Sequence, residues 1–131
     1  MDNDTRGNRG VPLAAARCIL AILPDDGVDH RVIKALRLEH GITRVDTVPV
    51  RAVAALQNAE AKAGRLPEPM LARLMTAIVP ADRADVLLDF IRAKAEIDRP
   101  GGGMVLMGRP LEATPFELPA DVPDEDEWQQ G

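Results

Sequence analysis

Residues 21–26 read AILPDD, and residues 77–82 read AIVPAD. Each stretch closes an apolar run with a proline and then an aspartate, and a helix-like pattern follows each. The first run, RCILAIL over residues 17–23, is continuous enough to predict a strand buried on both faces. PDDG then supplies turn chemistry and a helix start. In VDHRVIKALRLEHG, Val28, Val32 and Leu36 recur at i, i+4 and i+8, and Ile33 widens the stripe. Gly41 stands where a C-terminal helix glycine belongs. The spacing predicts an amphipathic helix over 28–40.

The second copy has the same plan. MLARLMTAIV predicts a strand closed by Pro80. ADRADVLLDFIRAKAEI places Ala84, Leu87, Leu88, Ile91 and Ala95 at helical spacing. Val86, Phe90 and Ile97 form a second apolar line, which predicts a helix covered on two sides. DRPGGG breaks the chain, MVLMG gives a last strand, and RPLEATPFELP trails off as extended chain.

Between the copies, ITRVDTVPVRAV returns as a strand through its Val and Thr content. Pro49 cannot donate to a ladder, so this strand belongs at an edge or a bulge. The Ala-rich stretch that follows reads as either a short helix over 53–63 or a long loop. The order is therefore β-α-β, long connection, β-α-β. It predicts an α+β, ferredoxin-like βαββαβ sandwich: a four-stranded antiparallel sheet with both helices on one face. The other face would carry Val, Leu, Ile and Met, and an exposed apolar sheet of that size implies a homo-oligomer packed sheet to sheet.

Composition narrows the function. The chain has 131 residues and a net charge of −5, but Glu112 to Gly131 holds seven acidic residues and no basic one. Without them the balance is 14 acidic against 16 basic. We expect three regions: a flexible N-terminus (1–15), one folded domain (16–112) and an acidic, disordered tail (113–131). Trp128 in that tail is either an incidental residue or a short docking motif. Aromatic residues make up only 2% of the chain, which leaves no stacking platform for nucleic acid. No apolar run is long enough for a membrane span, and no signal-peptide core is present, so the expected setting is cytoplasmic.

Candidate chemistry is sparse. In DRPGGGMV, the glycines Gly101, Gly102 and Gly103 could bring backbone amides close to an anion, with Arg99 and Arg109 flanking them. The loop has neither the P-loop lysine nor the Rossmann spacing, and a plain helix-to-strand turn is the competing reading. Asp25, Asp26 and Asp29 sit at a helix start, where capping explains them. His30 and His40 lack metal-ligand spacing, so no metal site is expected. The lone Cys18 lies in an apolar run and reads as packing rather than as a nucleophile. No triad or acid–base pair is evident, so the chain is not expected to be an enzyme.

Taken together, these segments resemble the PII-type signal proteins over roughly residues 16–112. ILAILPDDGVDHRVIKALRLEHGI is similar to that family's first strand and helix, TAIVPADRADVLLDFI to its third strand and second helix, and RPGGGMVLMGRPLE to its glycine loop and the strand beyond. The resemblance implies a trimer, adenine-nucleotide binding (ADP, AMP or ATP) between subunits, and a partner-binding loop at 51–70. It points to Arg73, Arg99, Gly101, Gly102, Gly103 and Arg109 as ligand-binding residues. It points to Arg51, Gln57, Asn58, Lys62, Arg65 and Trp128 as partner contacts. The chain departs from the family pattern at several places. Met104 replaces the phosphate-binding lysine, Val50 takes the place of the glycine at the loop base, and the C-terminal arginines would fall near Phe116 and Leu118. The connection is short and has no tyrosine. The chain thus resembles the divergent PII-like proteins, some of which accompany bicarbonate or other anion transporters. Two other readings compete: a ligand-free oligomeric adaptor, and a small enzyme of the dimeric-barrel kind.

Overall fold

The computed structural model describes residues 12–52 and 70–116. Strand β1 spans Ala14–Pro24, helix α1 Val28–His40, β2 Val45–Ala52 and β3 Met70–Pro80. A single 3₁₀ turn, Ala81–Arg83, leads into α2, Ala84–Lys94. Strands β4, Met104–Met107, and β5, Leu111–Ala113, complete the order. The sheet is antiparallel, with spatial order β2-β3-β1-β4, and β5 also pairs with β1. This is the predicted α+β arrangement with one more strand.

The added strand corrects the expectation that the chain trails off after β4. Ala14, Ala15 and Ala16 pair with Ala113, Glu112 and Leu111. The joint between β4 and β5 is pinned to β1. The Gly108 N–H donates to the Cys18 carbonyl at 2.8 Å, and the Arg17 guanidinium donates twice to the Gly108 carbonyl, at 3.0 and 2.8 Å.

Each element follows from its residues. Helix α1 buries Val28, Val32 and Leu36. It stops at Gly41, whose φ of 67° lets its N–H turn back to the Arg37 carbonyl. Helix α2 buries Ala84, Leu87 and Ile91. It ends at Lys94 rather than near residue 97, because Glu96 takes a φ of 54°, which a right-handed helix does not accommodate. Its second apolar line is not a covered stripe. Val86 is 64% exposed, whereas Phe90 is half-buried with its ring edge-on to His40 at 4.3 Å.

The core lies between the helices and one sheet face. Ile19, Ala21 and Leu23 of β1 and Met75, Ala77 and Val79 of β3 meet Val32, Leu36, Leu87 and Ile91. Alternation sends the intervening residues to the opposite face. There Val48, Leu74, Ile22 and Met104 stand in register across all four strands, with Leu20 and Leu106 in the next row. Among the described residues no helix covers this face, although Ala72 and Ala52, packed with Ile22 and Val50, are buried on it near the glycine-loop end. Strand β2 lies at the sheet edge, as Pro49 predicts.

Candidate functional site

The triple-glycine loop docks onto the end of β1, and its geometry accounts for each glycine. Gly101 and Gly103 have φ of 70° and 97°. A Cβ on Gly102 would lie 2.6 Å from the carbonyl oxygens of Glu96 and Ile97. A Cβ on Gly103 would lie 1.9 Å from the Ile22 carbonyl oxygen, well inside contact. The backbone therefore passes β1 more closely than any side chain permits.

Arg99 ties this loop to the β1–α1 corner. Its guanidinium donates to Asp26 Oδ2 at 2.9 Å, while Asp26 Oδ1 accepts the Val28 N–H at 3.1 Å. Partial burial pushes the Asp26 carboxyl up, but the hydrogen bonds from Arg99 and Val28 outweigh it and hold the carboxyl below its ordinary value. Both partners are more than a third exposed. An exposed pair of this kind is worth roughly 0–1 kcal/mol, so an incoming anion can recruit Arg99 at little cost.

Asp29 is different. It is 1% exposed, and its Oδ2 accepts from Thr47 Oγ1 at 2.7 Å and from Arg73 Nε at 2.9 Å. Burial pushes this carboxyl up too. The Thr47 and Arg73 hydrogen bonds, helped by the His30 backbone N–H and the His30 charge, more than reverse that and hold it below the ordinary carboxylate range. Asp29 is thus not a helix cap, as the sequence reading has it. It is a buried ionic link from α1 to β2 and β3. The signal was in the spacing: Asp29, Val32, Ile33 and Leu36 fall at i, i+3, i+4 and i+7, on the buried helix face. Thr47 carried no such signal.

The predicted site residues divide accordingly. Arg99, Gly101, Gly102, Gly103 and Arg73 gather at one end of the sheet. Arg51, exposed on β2, sits at this end as well, because Val50 pairs with Ala72 and Ala72 with Pro24. Arg109 does not join them. It is exposed beyond the opposite end of β4. Gln57, Asn58, Lys62, Arg65 and Trp128 lie outside the described residues, as do 53–69, where a short helix or loop was expected, and most of the acidic tail. Among the described residues, no group of three or more His, Cys, Asp or Glu side chains could hold a metal ion, and no helix is long and apolar enough to cross a membrane. Cys18 is half-buried on the uncovered face, and burial together with the Asp46 charge pushes its thiol up.

The fold is shared with proteins of known structure. CutA from Synechococcus elongatus PCC7942 superposes with a TM-score of 0.58 at 12% identity, over 79% of this chain and 86% of that one. Arabidopsis thaliana PII bound to citrate superposes with a TM-score of 0.54 at 19% identity, over 72% of this chain and 73% of that one. These likenesses establish a PII-like, ferredoxin-like architecture. No family model and no curated protein matches the sequence.

Proposed function

We propose that this chain is a PII-like regulatory protein that works as a homo-oligomer, with a trimer as the expected form. Subunits associate through the uncovered sheet face. A small anionic ligand, an adenine nucleotide or a bicarbonate-like anion, binds at the glycine-loop end in the cleft between subunits. It controls a partner protein, of the transporter or enzyme class, that contacts the 51–70 connection. The observation that carries this reading is the apolar row Val48, Leu74, Ile22 and Met104, in which Val48 and Met104 are 45% and 40% exposed. A contiguous apolar sheet face left open to water marks an association surface. The recruitable Arg99 supports an anion at this end, as does the citrate bound to a plant protein of the same fold. For the ligand to act as a switch, it must bind one state of the connection more tightly than the other.

A second reading, a ligand-free adaptor, is favoured by one fact: Arg73 is already neutralised by buried Asp29. Light scattering combined with calorimetry separates the two. An oligomer that binds ADP, AMP, ATP or bicarbonate, with binding lost in Arg99→Ala, supports the sensor. An oligomer that binds none of them selects the adaptor. A monomer at all concentrations rejects both.

A further inference from the structure

At the sheet end opposite the glycine loop, the α1–β2 connection, the β3–α2 corner and the end of β5 enclose a cleft of about 450 Å³. Its polar walls are His40, Thr43, Arg44, Asp82 and Arg83, and Phe116 closes one side. The two arginines are held firmly, but by neutral groups. Arg83 donates from Nη2 to the His40 carbonyl at 2.9 Å, and the same nitrogen lies 3.4 Å from His40 Nδ1. Arg44 donates to the Thr114 and Pro115 carbonyls at 2.7 and 2.6 Å, and its guanidinium lies 4.5 Å from the Phe116 ring centroid. The His40 ring is itself fixed by its edge contact with Phe90.

Charge is what sets this cleft apart. At the glycine-loop end, Arg99 and Arg73 each face a carboxylate. Neither Arg44 nor Arg83 has a carboxylate within ion-pair distance among the described residues. Asp82 lines the cleft without pairing with either of them. Among the described residues, two guanidiniums without a carboxylate partner against one lining carboxylate give the cleft a cationic wall. Carbonyl partners orient an arginine without cancelling its charge, and among the described residues no hydrogen bond engages the Arg83 Nε and Nη1 donors. A volume near 450 Å³ falls within the usual range for small-molecule sites.

We propose that this cleft is a binding site for a compact organic anion carrying a carboxylate or phosphate group, held by Arg83 and Arg44 against the Phe116 ring. The anionic group has two sources. One is a free small molecule. The other is the chain itself, because residues 117–131 follow Phe116 directly and contain six acidic residues and no basic one.

The test is a titration of the full-length, ¹⁵N-labelled protein with citrate and with inorganic phosphate, followed through the Gly41, Thr43 and Asp82 amides. We expect saturable shifts that centre on these amides. Arg83→Gln and Arg44→Gln weaken the affinity by about tenfold or more, as expected for loss of a charge-assisted contact. Arg83→Lys recovers part of the loss, and Asp82→Asn tightens binding. Arg83→Gln leaves the Arg44–Phe116 contact in place, so it tests the site even if Arg44→Gln perturbs the fold. Neutralising the tail (Asp124→Asn, Glu125→Gln, Asp126→Asn, Glu127→Gln) distinguishes the sources. Tighter citrate binding with shifted cleft resonances identifies the chain's own carboxylates as the resident anion, and unchanged citrate binding identifies a free anion. Absence of saturation with either probe, shifts centred on Gly101–Gly103, or affinity unchanged by Arg83→Gln would overturn the proposal.

Discussion

Arg73 on β3 donates to Asp29 in the first turn of α1 at 2.9 Å, and Thr47 on β2 donates to the same carboxylate oxygen at 2.7 Å. One buried anion therefore joins three elements that are distant in sequence. Removing one partner of such a pair strands the other charge, which typically costs about 3–5 kcal/mol. Arg73→Ala is expected to lower the unfolding free energy, measured by urea titration, by an amount of that order. Thr47→Val should cost less, about 1–3 kcal/mol, because the carboxylate keeps its arginine. Equal effects from the two substitutions would contradict the assignment of Arg73 as the principal partner.

The same carboxylate makes stability depend on pH, with a definite sign. Asp29 is held below its ordinary value in the folded chain, so the unfolded chain binds the proton first as pH falls. The stabilisation is present above the unfolded carboxylate value, near 4. It is lost as pH falls from there through the folded value. Asp26 is shifted the same way and adds to the trend. Urea midpoints measured from pH 7 to pH 2 should fall mainly below about pH 4. Asp29→Asn should flatten that fall while lowering stability at pH 7.

The glycines of the loop should not be equivalent. At Gly103 an added methyl collides with the Ile22 backbone and the φ of 97° is unfavourable as well, so Gly103→Ala should be the most damaging. Gly101→Ala pays for its positive φ, a penalty of about 1–2 kcal/mol. Thermal melts of the two variants should rank in that order, and the reverse ranking would mean that the loop does not press against β1.

The uncovered sheet face gives a test that separates association from folding. Val48 and Leu106 are 45% and 41% exposed in the single chain, so a charge there costs the monomer little. Val48→Lys and Leu106→Lys should shift the mass measured by light scattering toward the monomer while leaving the circular dichroism spectrum unchanged. If the mass is unchanged in both variants, subunits do not meet through this face.

The two strand-to-helix corners were legible because Pro24 and Pro80 end apolar runs and helical spacing begins at once in both copies. The bounds of α1 followed directly from Val28, Leu36 and Gly41. Strand β5 was not legible. Three residues between Pro110 and Pro115 give no periodic signal, and the pairing depends on Arg17 reaching across to Gly108. The spacing put Asp29 on the buried helix face, but its partners were hidden: local rules favour an aspartate near a helix start, and only the pairing of β2 with β3 brings Thr47 and Arg73 to it. The same limit applies to the cleft at Arg44 and Arg83, whose walls come from three separate segments.

Both flanks of the sheet are interrupted. Strand β2 carries Pro49 along its length, and the opposite flank is two short pieces, β4 and β5, broken at Gly108–Pro110. A continuous row of free amides and carbonyls is the template on which strands from other chains add without limit. Neither flank offers one. The described borders of the sheet thus deny amyloid-like strand addition, and under the proposed function association is left to the apolar face, which takes up a bounded number of copies.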